Sequence, residues 1–287
     1  MASNFWKQHE NLYYAVSNKK VIIGIVLFSL IIFLAIFGPM MTSYDYEEFA
    51  GAAYLPPSTD HYFGTTIMGK DVFTRTVLGL RTTIAVGLLA GTIATLFGCL
   101  VGFIAGYYGG KFIDELLMMM TNITLVFPSL ALLIIISAFM EVRGVFVLAF
   151  IVALTAWPWT ARAVRSQTLS LRNEEYVNLS RISSLNVLRI LKEDIAANMF
   201  SYVFMVFILQ FNGTILAAVG LEFLGLGPSQ GISLGMVMRN AVSWNGIQLG
   251  MWWWGIIPGL LLTIMVTSLY FINTGLDEVF NPRLREM

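Results

Sequence analysis

Segment 64–71 of the sequence has nearly the residue pattern of a phosphate-binding loop. It reads GTTIMGKD, with two glycines and a lysine at the spacing at which backbone amides and an ammonium group cradle phosphates. That motif continues with Ser or Thr, which ligates magnesium, whereas Asp71 would place a carboxylate beside the phosphates. Its flanks also lack a strand, and no second stretch of this kind occurs. We therefore predict no catalytic residues and no ATP hydrolysis by this chain itself.

Metal and thiol chemistry have equally few candidate residues. The chain has two histidines, His9 and His61, and one cysteine, Cys99. A structural zinc site takes four nitrogen or sulfur ligands, so we predict no metal site and no cofactor in this chain. A single cysteine also excludes an intrachain disulfide, and the apolar neighbours of Cys99 indicate a small buried side chain.

Three amide side chains, Asn122, Gln210 and Asn212, lie within otherwise apolar stretches. Polar residues at membrane depth face protein or a water-filled cavity. Two interpretations stay open: hydrogen bonds between helices, or the lining of a solute path. Glu222 also lies near the end of an apolar stretch, where we expect an interfacial carboxylate bound by backbone or water.

Residues 164–198 form the most informative polar segment. We predict two short amphipathic helices, the first capped by Asn173 and the second by Asn186. Glu174 and Glu175 would occupy the first turn, where acidic residues favour the helix dipole. The apolar face comprises Val177, Leu179, Ile182, Leu185, Leu188, Leu191 and Ile195. Such a pair can dock in a groove of a partner protein or lie on the lipid surface; its mixed charges favour the protein.

Six apolar stretches are long enough to cross a bilayer, which takes roughly 20 residues. They are 21–41, 82–107, 116–140, 144–163, 199–226 and 251–276. We predict helices, because in lipid the backbone must satisfy its own hydrogen bonds and the alternating pattern of barrel strands is absent. Gly87, Gly91, Gly98, Gly102 and Gly106 share one face of the second stretch, which predicts close helix packing.

The composition of the 287-residue chain agrees with a membrane protein. Hydrophobic residues make up 57% and charged residues only 12%, against about 25% in soluble domains. Seventeen basic and 17 acidic side chains balance, which excludes a disordered chain and a nucleic-acid binder that relies on a basic field. With both termini in the cytoplasm, 12 of the 17 Lys and Arg residues lie inside, Lys7, Arg283 and Arg285 among them. Residues 42–81 are then outside.

The sequence resembles the C-type permease subunits of ABC importers for oligopeptides, dipeptides and nickel. Segment 56–83, PPSTDHYFGTTIMGKDVFTRTVLGLRTT, is similar to the family pattern PPS-x-EH-x-LGTD-x-LGRDVLSR-x-x-x-GAR-x-S. Further matches are Gly106-Tyr107, Gly109-Gly110, Asp114, Pro128, Trp157, Arg162, Arg165, 223–227 and Asn281-Pro282-Arg283. The resemblance covers nearly the whole chain, and it assigns the glycines of the false phosphate loop to a different pattern.

The resemblance implies that 164–198 is the loop that docks the ATPase. The residues implied in this coupling are Glu175, Tyr176, Val177, Leu179, Ser180, Ser184 and Arg189. Glu175-Tyr176-Val177 match the family, whereas Leu179-Ser180 replace two alanines and Ser184 replaces a glycine. Because serine adopts a left-handed turn less readily than glycine, we predict either a reshaped turn or a longer helix.

The implied fold is an all-α membrane protein with six transmembrane helices, the type I ABC importer permease fold, with both termini cytoplasmic. We divide the chain into residues 1–81, with the first span and outer loop, and a five-helix core, 82–287. Implied partners are a second permease subunit, two ATPase subunits that bind ATP and magnesium, an external solute-binding protein and the bilayer of a bacterial or archaeal cytoplasmic membrane. Two other classes stay open: an ion-coupled secondary transporter, and a membrane scaffold or receptor.

Overall fold

The computed structural model describes Tyr14 and residues 17–280, a part of the chain that is helical and contains no strand. Lys7, His9, Arg283 and Arg285, used in the sequence predictions, lie outside the described residues, as does 281–283. The helices are α1 Lys19–Phe37, α2 Val72–Tyr107, α3 Phe112–Val126, α4 Ser129–Ala138, α5 Val145–Leu171, α6 Glu175–Ile182, α7 Val187–Arg189, α8 Phe200–Leu221, α9 Leu234–Ser243 and α10 Trp252–Phe280. A short 3₁₀ turn, Gly38–Met41, follows α1, and wider π turns follow α7 (Ile190–Ala196) and α8 (Glu222–Leu226).

Five helices within the described part of the chain are long and apolar enough to cross a membrane: α1, α2, α5, α8 with its π turns, and α10. A sixth span exists if α3 and α4 are counted together, although their axes differ by 81°. The predicted uninterrupted span 116–140 is therefore wrong. The physical reason is Pro128, which lacks an amide proton and disfavours helical backbone at Phe127, so that the helix stops and restarts.

Helix α2 starts ten residues before the predicted span, because polar residues cap and cover its N-terminal end. The Asp71 carboxylate accepts hydrogen bonds from the Thr74 amide at 2.7 Å and its hydroxyl at 2.9 Å. His61 Nδ1 lies 2.9 Å from the other Asp71 oxygen, and both side chains are buried. The predicted division at residue 81 thus falls inside a helix, although whether the chain has two domains stays a prediction.

The glycines of α2 allow close packing against two different helices. A Cβ added at Gly91 would lie 2.9 Å from the Phe211 Cα of α8. A Cβ at Gly98 would lie 2.6 Å from the Thr160 Cβ of α5, and one at Gly102 would lie 2.8 Å from the Ala161 carbonyl oxygen. The predicted packing face is confirmed, and it serves α8 in the N-terminal half of α2 and α5 in the C-terminal half.

The connection between α8 and α10 contains a helix that the sequence analysis did not predict. Ser233 caps α9 by accepting a hydrogen bond from the Met236 amide, and the Thr83 hydroxyl of α2 accepts one from the Leu234 amide. Glu222 packs beside the start of α9 and is only 1% exposed, so its carboxylate is buried in protein; its position at the membrane interface stays a prediction. A helix of ten residues is marginal on its own, so these tertiary contacts hold it in place.

Helix α1 is joined to the body through α10. Gly24 lies against the Ser268 carbonyl and Ile272, and Gly275 lies against Val21, so the two backbones approach closely. At one end of this pair, Glu278 accepts hydrogen bonds from Lys20 and, at 2.9 Å, from the Asn18 amide group. The described part of the first span is thus packed on the last.

Candidate functional site

The segment between α5 and α8, residues 172–199, is anchored to the body by part of its apolar face. Val177, Ile190 and Ile195 are fully buried, and they pack with Cys99 of α2 and Val164 of α5. Cys99 is the small buried side chain that its neighbours predicted. We name residues 172–199 the connecting segment.

Three other apolar side chains of the connecting segment face outward. Leu179 is 64% exposed, Ile182 is 80% exposed and Leu188 is 73% exposed. Leu185 is half-buried between them. The predicted apolar face is therefore divided between residues that hold the segment to the helices and residues that leave a hydrophobic surface uncovered.

Two details of the predicted helix pair are resolved by the backbone. Asn186 caps the second helix, as predicted, because its side chain accepts a hydrogen bond from the Leu188 amide at 3.3 Å. The predicted cap at Asn173 is wrong: α6 starts one residue later, with Glu174 at the cap position. The Asn173 side chain instead donates a hydrogen bond to the Leu169 carbonyl, near the end of α5.

The turn between α6 and α7 contains one residue with left-handed backbone, although this residue is the serine at position 184. Helix α6 ends at Ile182, and Ser184 adopts a φ of 56°. Neither the predicted reshaped turn nor the predicted longer helix is present. The hydrogen bond from the Leu185 amide to the Ser180 carbonyl closes this turn and compensates in part for the strained backbone.

We expect Ser184→Gly to stabilise the connecting segment by about 1 kcal/mol, because glycine adopts a positive φ without the steric cost that serine has. Hydrogen–deuterium exchange of amides 175–196 should slow about fivefold. Ser183→Gly is the matched control, since Ser183 has a φ of −72° and gains nothing from glycine. Equal slowing in both variants would contradict the assignment of strain to Ser184.

Two arginines connect the segment with the C-terminal end of α2. The Arg172 guanidinium donates to the Gly109 carbonyl at 2.9 Å and to the Tyr107 carbonyl at 3.3 Å. The Arg181 guanidinium lies over the Tyr107 ring, 5.1 Å from its centre. These contacts join the segment to α2, the helix that packs on both α5 and α8.

Two ionisable groups of the connecting segment, Tyr176 and Arg189, have a raised pKa. Burial raises the pKa of the Tyr176 phenol, and the carboxylates of Glu174 and Asp194 raise it further. The hydrogen bond at 2.9 Å to Glu193 raises the pKa of Arg189. Tyr176 thus stays neutral and Arg189 stays charged near pH 7, so this surface does not titrate there through either group.

A cavity of about 600 Å³ lies between the α3–α4 break, α5 and α8. Gln210 is its one amide side chain, and its Nε2 donates to the Ala156 carbonyl at 3.0 Å while its Oε1 accepts from Thr160 at 3.3 Å. The other lining residues are Leu125, Ser129, Leu130, Leu133, Thr155, Ala156, Trp159, Leu209, Gly213, Leu216 and Ala217. The cavity is thus mainly apolar, and no charged side chain lines it.

A second cavity of about 350 Å³ is lined by Met118, Asn122, Arg162 and Arg165. The side-chain amide oxygen of Asn122, Oδ1, accepts a hydrogen bond at 2.7 Å from Arg162 Nη2. Arg165 is bound by both oxygens of the buried Asp114 carboxylate, at 2.5 and 2.6 Å, and Asp114 also accepts the Gly110 amide at 2.8 Å. Asp114 thus binds both the Gly110 amide and Arg165, which explains the spacing between Gly109-Gly110 and Asp114 in the family pattern.

The structure brings two of the three predicted path residues to these cavities, Asn122 to the smaller and Gln210 to the larger. Asn212 lines neither, and its side chain instead donates to the Val266 carbonyl of α10 at 3.3 Å. All three form hydrogen bonds between helices, which confirms one of the two open interpretations; whether Asn122 and Gln210 also line a solute path stays a prediction. Sequence analysis missed the cavity position of Arg162, although its spacing of three residues from Trp159 places both on one helix face.

Comparison with known proteins agrees with a class of multi-span membrane permeases of ABC importers, which reside in the inner membrane and are not enzymes. Residues 98–286 match the family described as binding-protein-dependent transport system inner membrane component. The chain belongs to this family. Residues 12–57 also match the N-terminal transmembrane domain of oligopeptide transport permease C.

Individual relatives cover most of the chain. It is 32% identical over 273 residues to the oligopeptide transport system permease protein OppC of Bacillus subtilis, which is 94% of this chain and 88% of the relative. It is 34% identical over 272 residues to the dipeptide transport system permease protein DppC of Alkalihalophilus pseudofirmus, covering 93% and 87%. The membership favours an ABC permease over the ion-coupled transporter and the scaffold that the sequence left open.

Proposed function

We propose that this chain is one of two permease subunits in an ATP-driven importer of small peptides. Its relatives are named for oligopeptide and dipeptide transport, and they match over nearly their full length. The partners in this proposal are a homologous permease, two ATPase subunits that bind ATP and magnesium, and an external solute-binding protein. Both termini and the connecting segment lie in the cytoplasm.

The observation that carries the proposal is the division of the connecting segment into an anchored and an uncovered apolar surface. Leu179, Ile182 and Leu188 are well exposed on a segment whose other apolar side chains are seated on helix ends. An exposed apolar patch of this kind is typical of a protein interface. We assign it to the ATPase, with Glu175, Tyr176, Ser180, Ser184 and Arg189 around it and Val177 as its anchor.

Movement of the docked ATPase would then displace the helices of this chain mechanically. The connecting segment contacts the end of α2 through Arg172 and Arg181. A push on the segment would tilt α2 together with the helices packed against its glycines. ATP binding would shift the population of outward- and inward-open states only as far as it binds one state better.

The test is reconstitution of the complete importer in vesicles with the solute-binding protein outside. We expect uptake of a labelled peptide that requires internal ATP and the binding protein and that survives collapse of ion gradients by ionophores. Uptake driven by an ion gradient without ATP would show a secondary transporter instead. A folded chain that never co-purifies with a second permease and ATPases would contradict the proposed assembly.

A further inference from the structure

The two cavities lie along one groove bounded by α3 and α5. On α3, Met118, Asn122 and Leu125 are separated by four and three residues, and on α5 Thr155, Trp159 and Arg162 have the same spacing. Residues at i, i+4 and i+7 share one face of a helix. The groove therefore continues from the apolar cavity at Gln210 to the basic cavity at Arg162, about 10 Å farther along α5 at 1.5 Å per residue.

The basic end of this groove carries one uncompensated positive charge. The Arg165 guanidinium is neutralised by two hydrogen bonds to the Asp114 carboxylate. The Arg162 guanidinium, within the part of the chain that the structure describes, donates a single hydrogen bond, and its acceptor is the neutral Asn122 amide. No acidic side chain lines this cavity.

The hydrogen-bonding groups left at this end are all donors. Arg162 has five N–H groups and uses one, and Asn122 accepts through its oxygen, which leaves its NH₂ group to donate. The hydrogen bond to Asn122 also orients the Arg162 guanidinium across the cavity. A planar fork of donors with a second amide donor beside it matches the geometry of a carboxylate, which accepts two parallel bonds.

We propose that Arg162 and Asn122 form an anion subsite that binds the carboxylate of the transported peptide at the inner end of the path. This proposal rests on the proposed function. The apolar walls around Gln210 accommodate side chains of any character, because they offer no charge to select among them. Arg162 is then the one charged group in the groove that recognises a feature common to all unmodified peptides, their terminal carboxylate.

Thiol labelling tests the anion preference without any transport. In the assembled importer, Met118→Cys places a reactive group in the basic cavity, while the single native Cys99 is buried. The rate with anionic 2-sulfonatoethyl methanethiosulfonate is divided by the rate with its cationic trimethylammonium analogue. We expect Arg162→Gln to lower this ratio about tenfold. Arg162→Lys should retain most of it.

Lys19→Gln is the matched control, because it removes an exposed positive charge at the start of α1 and outside the groove. It should leave the labelling ratio unchanged. The proposal is overturned if Arg162→Gln leaves the ratio unchanged, or if Lys19→Gln lowers it equally.

Uptake measurements identify the source of the anion. A peptide and its C-terminal amide, both carried by the wild-type importer, are compared in wild type and in Arg162→Gln. For each importer, uptake of the free acid is divided by uptake of the amide, and the two quotients are compared. Because both importers use the same binding protein, the preference of that protein cancels in the comparison. We expect the preference for the free acid to fall about tenfold in the variant.

The lipid composition separates the peptide from a phospholipid headgroup. The same uptake ratios are measured in vesicles of phosphatidylcholine alone and with phosphatidylglycerol added. A labelling effect without any change in the acid-to-amide ratio, or an effect that requires phosphatidylglycerol, would assign the subsite to lipid and overturn the peptide proposal. Absence of all peptide uptake by the wild type would instead count against the proposed function, while the labelling result would still decide on the anion subsite.

Discussion

Leu179→Asp is expected to reduce peptide uptake by the assembled importer at least about thirtyfold while the chain still folds and inserts. Leu179 is 64% exposed, so the substitution leaves the core of this subunit unchanged. In the proposed interface, however, an aspartate would bury a charge in an apolar contact, which costs about 2 kcal/mol or more. ATP hydrolysis by the ATPases, measured in parallel with uptake, should continue and become independent of loaded binding protein.

Two companion variants sharpen this experiment. Leu179→Met keeps an apolar side chain of similar volume and should retain uptake within about twofold. Glu175→Lys reverses an exposed charge at the start of α6 and should also uncouple hydrolysis from uptake. Normal uptake in both Leu179→Asp and Glu175→Lys would show that the connecting segment does not couple ATP hydrolysis to uptake.

Gly102→Ala is expected to destabilise the fold by about 2 kcal/mol, the cost of overpacking a tight contact. The added Cβ would lie 2.7 Å from the Val164 Cβ and 2.8 Å from the Ala161 carbonyl oxygen of α5. Val164 is β-branched and the carbonyl is backbone, so neither can move aside locally. The two helices must separate, and the midpoint of thermal unfolding in detergent should fall by several degrees.

Gly220→Ala is the matched control for this prediction. Gly220 also lies in the helical interior, in α8, but an added Cβ there meets only the Leu130 side chain, at 3.9 Å. Alanine should leave the unfolding midpoint unchanged or raise it, because it favours helical backbone by up to about 1 kcal/mol. Comparable loss of stability in both variants would mean that helix packing at Gly102 is not the limiting contact.

The regular features of the chain could be predicted because each follows from local periodicity. Apolar stretches of about 20 residues indicated the spans, and glycines four apart indicated the packing face of α2. Asn186 was recognised as a cap since capping depends on neighbouring amides alone. Two features that sequence analysis missed depend on more distant partners: the start of α2 at Asp71, which binds the buried His61, and helix α9. The cap of α6 was placed wrongly because Asn173 and Glu174 compete locally for that position.

The sequence by itself determined the class of this protein and its general plan: a weakly charged helical body for lipid and one amphipathic connecting segment. Only the tertiary structure decided which apolar residues of that segment are anchors and which are uncovered, because periodicity assigns a face but not what covers it. The same holds for the arginines. Arg162 and Arg165 are three residues apart and alike in sequence, yet Asp114 pairs with Arg165, whereas Arg162 binds the neutral side chain of Asn122. Charge compensation depends on contacts across 51 residues of chain, which no local pattern records.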